Sequence, residues 1–104
     1  MPAMKTYEVI VSSAAVLDLE GISSYVAEQY RQESGHKYAN RILGQLASLS
    51  YTADIFQYGR FASVKAIHAK AKTISIINHR WTVVFHTEDY YVMIDRIIPS
   101  KMVM

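Results

Sequence analysis

The sequence contains no cysteine, and only two prolines and four glycines among its 104 residues. Without cysteine there is no disulfide, no thiolate nucleophile and no cysteine-ligated zinc or iron–sulfur centre. The glycines, Gly21, Gly35, Gly44 and Gly59, are isolated, so neither a phosphate-cradling loop nor a dinucleotide-binding turn can be written. No serine is flanked by the glycines that a serine-hydrolase nucleophile elbow requires. The four histidines, His36, His68, His79 and His86, fall on separate segments without the i, i+4 spacing of a helical metal site. Neither a metal nor another cofactor is therefore expected. No apolar run approaches the ~18 residues of a membrane span, so no membrane partner is expected. The opening Met1-Pro2-Ala3-Met4-Lys5 lacks the apolar stretch and cleavage site of a secretory signal, which points to the cytoplasm.

What is present is apolar matter for one core. Hydrophobic residues make up 51% of the chain, enough for a single domain over residues 1–104 that buries roughly two-thirds of its unfolded surface. The charge is unevenly spread. Residues 1–54 carry four cationic and six acidic side chains, a net −2, whereas residues 55–104 carry seven and three, a net +4. A basic second half suits an anionic partner, either nucleic acid or an acidic protein segment.

Periodicity orders the elements. Tyr7-Glu8-Val9-Ile10-Val11 reads as a strand, and Ser12-Ser13 can cap a helix after it. Ala15, Leu19, Ile22, Val26 and Tyr30 form one apolar stripe of a helix ending near Gln32, with Ser34-Gly35 as its stop. Gly21 within that helix suggests a close approach of a second helix. Ala39, Ile42, Leu43, Leu46 and Leu49 mark that second helix over residues 36–50, so the two form an antiparallel hairpin. Residues 63–69 fit a short strand or a helical turn equally well. Residues 73–77, 81–86 and 90–98 are strands joined by links of two to three residues, hence an antiparallel meander. The fold class is α+β, in the order β-α-α-β-β-β, with an antiparallel twisted sheet on a helical hairpin. In the middle strand, Trp81, Val83 and Phe85 share the face expected against the helices. Thr82, Val84 and His86 share the other, which is expected to be open to a partner.

The carboxylates Asp18, Glu20 and Glu28 read as a solvated helix face, which argues against a paired-carboxylate hydrolase. The chemistry left is basic and aromatic: Arg60, Lys65, Lys70, Lys72, His79, Arg80, His86, Arg96 and Lys101, with Tyr58, Tyr90 and Tyr91. Lys70 and Lys72 read as solvated charges. Arginine and lysine can hold a phosphate or carboxylate, and histidine can move protons, so the set could cleave RNA without metal or serve as a docking surface.

Several of these residues occur in an order that resembles the RelE/ParE superfamily, the toxins of bacterial type II toxin–antitoxin (plasmid stabilisation) systems. Ser12, Ala15, Asp18-Leu19, Ile22 and Tyr25 resemble its S-x-x-A-x-x-D-L-x-x-I-x-x-Y pattern. Ala39, Ile42, Leu46 and Leu49 followed by Gly59-Arg60 resemble its second helix and Gly-Arg pair. Trp81-Thr82-Val83-Val84-Phe85 is similar to its Tyr-Arg-Val-x-Tyr strand, and Ile94-Asp95-Arg96-Ile97-Ile98 with Lys101 to its terminal Ile-x-Arg-Ile-x-His-x-Arg. The resemblance implies a cognate antitoxin as partner, DNA gyrase or ribosome-bound mRNA as target, and a homodimer or a toxin–antitoxin hetero-oligomer. Arg60, Arg96 and Lys101 would then contact the target. In an mRNA endonuclease, Arg80, His86, Arg96 and Lys101 would be the catalytic candidates. Thr82 stands where RNA-cleaving members carry arginine, and Pro99 where many carry histidine. Ala53 lies near the position of a family proline, and no tyrosine follows Lys101. These departures favour a ParE-like gyrase inhibitor over a RelE-like nuclease. A non-catalytic member, and an unrelated α+β module for RNA or an acidic protein, are the other readings.

Overall fold

The computed structural model describes residues 6–104, so the reading of Met1–Lys5 lies outside the described residues. Strand β1, Glu8–Val11, leads through Ser12 into helix α1, Ser13–Gln29. The Ser12 hydroxyl accepts from the Ala15 amide at 3.1 Å, satisfying one of the free donors of the first turn. Helix α2, Gln32–Ala47, follows after Tyr30 and Arg31 alone. Helix α3, Leu49–Thr52, and a 3₁₀ turn at Ala53–Ile55 lead to α4, Ala62–Ile67. Residues 63–69 are thus helical rather than extended in their first part. Strands β2 (Lys72–Ile76), β3 (Trp81–Glu88) and β4 (Tyr91–Pro99) complete the sheet, and a 3₁₀ turn at Ser100–Met102 follows.

The three last strands are the expected antiparallel meander, but the sheet is mixed. Its order is β1-β4-β3-β2, and β1 lies parallel to β4, with Glu8 opposite Tyr91 and Val11 opposite Ile94. A parallel pair needs a long crossover, which the helical hairpin and the meander together supply. One face of the sheet packs on the hairpin. Val83, Phe85, Val92, Ile94 and Ile97 meet Ala15, Ile22, Ile42, Leu46 and Leu49 in one core. Phe85 is fully buried, with Phe56 edge-on to its ring at 5.9 Å. Burying one such side chain stabilises the fold by about 1.5–3 kcal/mol before entropy is counted.

Two expectations about glycine are corrected. Gly21 has open space around it, whereas Gly35 is buried inside α2, where a Cβ would lie 2.4 Å from the Ser23 carbonyl oxygen. The close approach of the helices is therefore at Gly35, which begins no left-handed stop: no glycine has positive φ among the described residues. The helix stop instead falls at Tyr30, five residues earlier.

The second face of the sheet is also closed. Thr82, Val84 and His86 are all buried rather than open to a partner. Val84 packs with Val64 of α4 and Ala71, while Ile67, Ile98 and Val103 flank them in a second, smaller core. The segment after β4 is tied down by hydrogen bonds. The Ser63 amide donates to the Met104 carbonyl at 3.0 Å, and the Met104 amide to the Ser63 hydroxyl at 3.1 Å. The Thr82 and Ser100 hydroxyls share a bond of 2.9 Å.

Candidate functional site

Asp95 and Arg96 occupy a bulge, because the β3–β4 register shifts between Val84, opposite Arg96, and Phe85, opposite Ile94. The two neighbours are thereby given different partners. The Asp95 carboxylate meets His86 Nδ1 at 2.6 Å, and the His86 ring stacks on His68 at 3.7 Å. Arg96 donates from Nε and Nη2 to Asp18 on α1 at 2.7 and 3.0 Å. Asp18 also accepts the Ile97 amide at 2.9 Å. These hydrogen bonds first, and the attraction of the carboxylate second, raise the Arg96 pKa above its ordinary value. Asp18 is accordingly not part of a solvated face; it pins the hairpin to the bulge. His86 and Arg96, read from the sequence as candidates for proton transfer and phosphate binding, are both engaged in structural pairs. Lys72 is not a solvated charge either. It is buried, donates to the Ala53 carbonyl at 3.3 Å, and lies 5.5 Å from the Tyr58 ring centroid.

The other cations take different positions. His79 and Arg80 sit on the β2–β3 turn, where Ile77, Asn78 and His79 all have left-handed backbones with φ of 52°, 53° and 63°. For β-branched Ile77 this conformation is strained. The turn is held by the Gln45 side chain, which accepts the Ile77 amide at 3.4 Å, and by the Arg80 amide donating to the Ile77 carbonyl at 3.1 Å. The Ser100 amide then donates to the Arg80 carbonyl at 3.0 Å, bringing the turn beside Lys101. Arg80 and Lys101, with His79, line an open hollow of about 560 Å³ walled by Tyr25 and Trp81. The indole is held by its Nε1 donating to the Tyr38 hydroxyl at 2.8 Å.

That hollow continues past Tyr25 and Trp81 to Tyr30 and Tyr38, and on to Lys37 and Arg41 of α2. The result is a groove along the helical hairpin that is aromatic in its floor and basic at both ends. None of the described residues lining it is acidic. Arg60 is elsewhere, beside Tyr58, Phe61 and Thr73 in a separate hollow. The structure thus brings Arg80 and Lys101 together, and leaves Arg60, His86 and Arg96 out of the groove. Sequence reasoning missed Tyr25, Tyr38, Lys37 and Arg41 as site residues. Their spacing along the hairpin, 37, 38 and 41 on one helix and 25 on the other, was a signal only once the helices were known to lie side by side.

A chain of the structure described as the chromosomal ParDE TA system from P. aeruginosa superposes on this one with a TM-score of 0.75. The alignment covers 91% of this chain and 97% of that one, at 18% sequence identity. The fold is ParE-like. No family model matches the sequence, and no curated protein matches it. The ParE-like fold agrees with the resemblance drawn from the sequence, although it keeps β1 parallel to β4 where an antiparallel sheet was expected. Among the described residues no helix is long and apolar enough to cross a membrane, and no three His, Asp or Glu side chains group as a metal site.

Proposed function

We propose that this protein is the toxin of a type II toxin–antitoxin pair, a ParE-like growth inhibitor that acts by binding a protein target, DNA gyrase. The observation that carries this reading is the acid-free groove with its unpaired cations, on a chain whose fold is like that of a ParDE component. Among the described residues Arg80 and Lys101 make no ion pair, and Tyr25 and Tyr30 are exposed. Tyrosine, tryptophan and arginine are the residues that dominate protein–protein binding energy, so the groove has the composition of a docking surface. A cognate antitoxin with acidic and apolar side chains would neutralise it by covering that surface.

The state of the sheet's second face supports binding over RNA cleavage. Thr82 is neutral, buried and bonded to Ser100, and His86 is buried against Asp95 and His68. An acid–base pair must reach its substrate within hydrogen-bond distance, and the His68 ring is stacked on the face of this one. Inducing the chain alone in bacteria tests the reading. Growth arrest with double-strand DNA breaks is expected. Arrest with mRNA cut inside codons would transfer the protein to the nuclease class, and normal growth at confirmed expression would remove it from the toxins.

A further inference from the structure

The end of the groove at Arg80 and Lys101 combines two exposed cations with two aromatic side chains in one hollow. The backbone segments that carry the two cations are tied together, because the Ser100 amide donates to the Arg80 carbonyl. A strained turn of three left-handed residues presents His79 and Arg80, and strain of this kind, worth about 1–3 kcal/mol per residue, persists where the surrounding structure enforces it. Two aromatic rings stand at the same hollow. Trp81 is half-buried and fixed through Tyr38, and Tyr25 is exposed. The Ser100 side chain adds a hydroxyl, and among the described residues no carboxylate lines the hollow to repel an anion. Its volume of about 560 Å³ lies within the usual range for small-ligand sites.

We propose that this hollow binds a free nucleoside phosphate, with the planar base against Tyr25 and Trp81 and the phosphate between Arg80 and Lys101. The pairing of chemistries selects this class. Arginine offers two parallel donors to phosphate oxygens and lysine a point charge, while a π-face is worth about 1–3 kcal/mol to a stacked base. A simple anion would leave the rings unused, and an apolar ring would leave two cations unpaired. The proposal goes beyond the toxin reading and does not depend on it.

Trp81 is the only tryptophan, so its fluorescence reports on this site directly. The test is a titration of the whole chain with adenosine monophosphate, with excitation at the red edge of indole absorption to avoid the base. Saturable quenching below about 1 mM is expected. Arg80→Ala and Lys101→Ala should each weaken binding about tenfold, and Tyr25→Ala by a similar factor, while Lys70→Ala leaves it unchanged. Both cations are exposed, and a thermal melt of each variant verifies that the fold is kept. Quenching by inorganic phosphate as strong as by the nucleotide would overturn the proposal in favour of a plain anion site. Binding of a single-stranded oligonucleotide without binding of the mononucleotide would overturn it in favour of a nucleic-acid surface. Binding of polyglutamate alone, or of none of these probes, would overturn it as well.

Discussion

Asp18 and Arg96, seventy-eight positions apart, are joined by two side-chain hydrogen bonds, and the same carboxylate takes the Ile97 amide. One side chain therefore fixes where α1 sits against the β4 bulge. Asp18→Asn should remove the charge assistance and lower stability by about 2 kcal/mol, read as a fall of about 10 °C in Tm. Arg96→Ala should cost less, because its guanidinium is partly exposed.

The same pair is not a pH sensor on the arginine side. A group whose folded pKa is raised contributes stability that is complete below its unfolded pKa and lost only as pH rises through the folded one. For Arg96, whose pKa is raised above an already strongly alkaline ordinary value, that loss lies beyond the measurable range, so its contribution should stay constant across neutral and mildly alkaline unfolding measurements.

Gly35 and Gly21 should respond oppositely to alanine. At Gly35 a methyl would meet the Ser23 carbonyl at 2.4 Å, a backbone atom that cannot swing away, so Gly35→Ala should cost about 1–3 kcal/mol. At Gly21 nothing lies within 4 Å, and Gly21→Ala should gain up to about 1 kcal/mol from helix propensity. Urea unfolding of the two variants measures both.

Thr82→Arg restores the residue that the resemblance associates with RNA cleavage, yet it should not restore a site. The position is buried under Ser100, and a charge there must either remain desolvated or lift residues 100–104. A loss of about 2–4 kcal/mol is expected. Faster hydrogen exchange at the Ser100 and Met104 amides would show that the covering segment has moved.

Arg80→Glu combined with Lys101→Glu tests the groove as a binding surface. Both side chains are exposed and make no ion pair among the described residues, so stability should change by no more than about 0.5 kcal/mol. On the toxin reading, growth inhibition should fall by tenfold or more. Equal toxicity at equal expression would place the target contacts elsewhere, with Arg60 the next residue to reverse.

Much of the scaffold was legible because it rests on local chemistry. The Ser12 cap, the stripe through Ala15 and Ile22, and the alternation of Val83 and Phe85 each follow from a short window. What failed depended on distant segments. The period of β3 shows that Thr82, Val84 and His86 share a face, but cannot show that α4 and Val103 come back to cover it. The parity of β4 does not place Asp95 and Arg96, because the strand is apolar on both faces apart from those two, and in the structure the bulge breaks the alternation there. Arg80 and Lys101 were named from composition. Their meeting required the left-handed turn at Ile77–His79, which nothing in an Ile-Asn-His-Arg stretch demands.

The parallel seating of β1 on β4 also dictates an order of events during synthesis. The partner of Val11 is Ile94, so the first strand emerges from the ribosome long before anything exists to accept its hydrogen bonds. Until the last strand is translated the nascent chain can hold a helical hairpin but no finished sheet, and the Ser100–Arg80 tether cannot form. The hollow at Arg80 and Lys101 is therefore among the last features of the molecule to take shape, after both of the strands that flank it have been made.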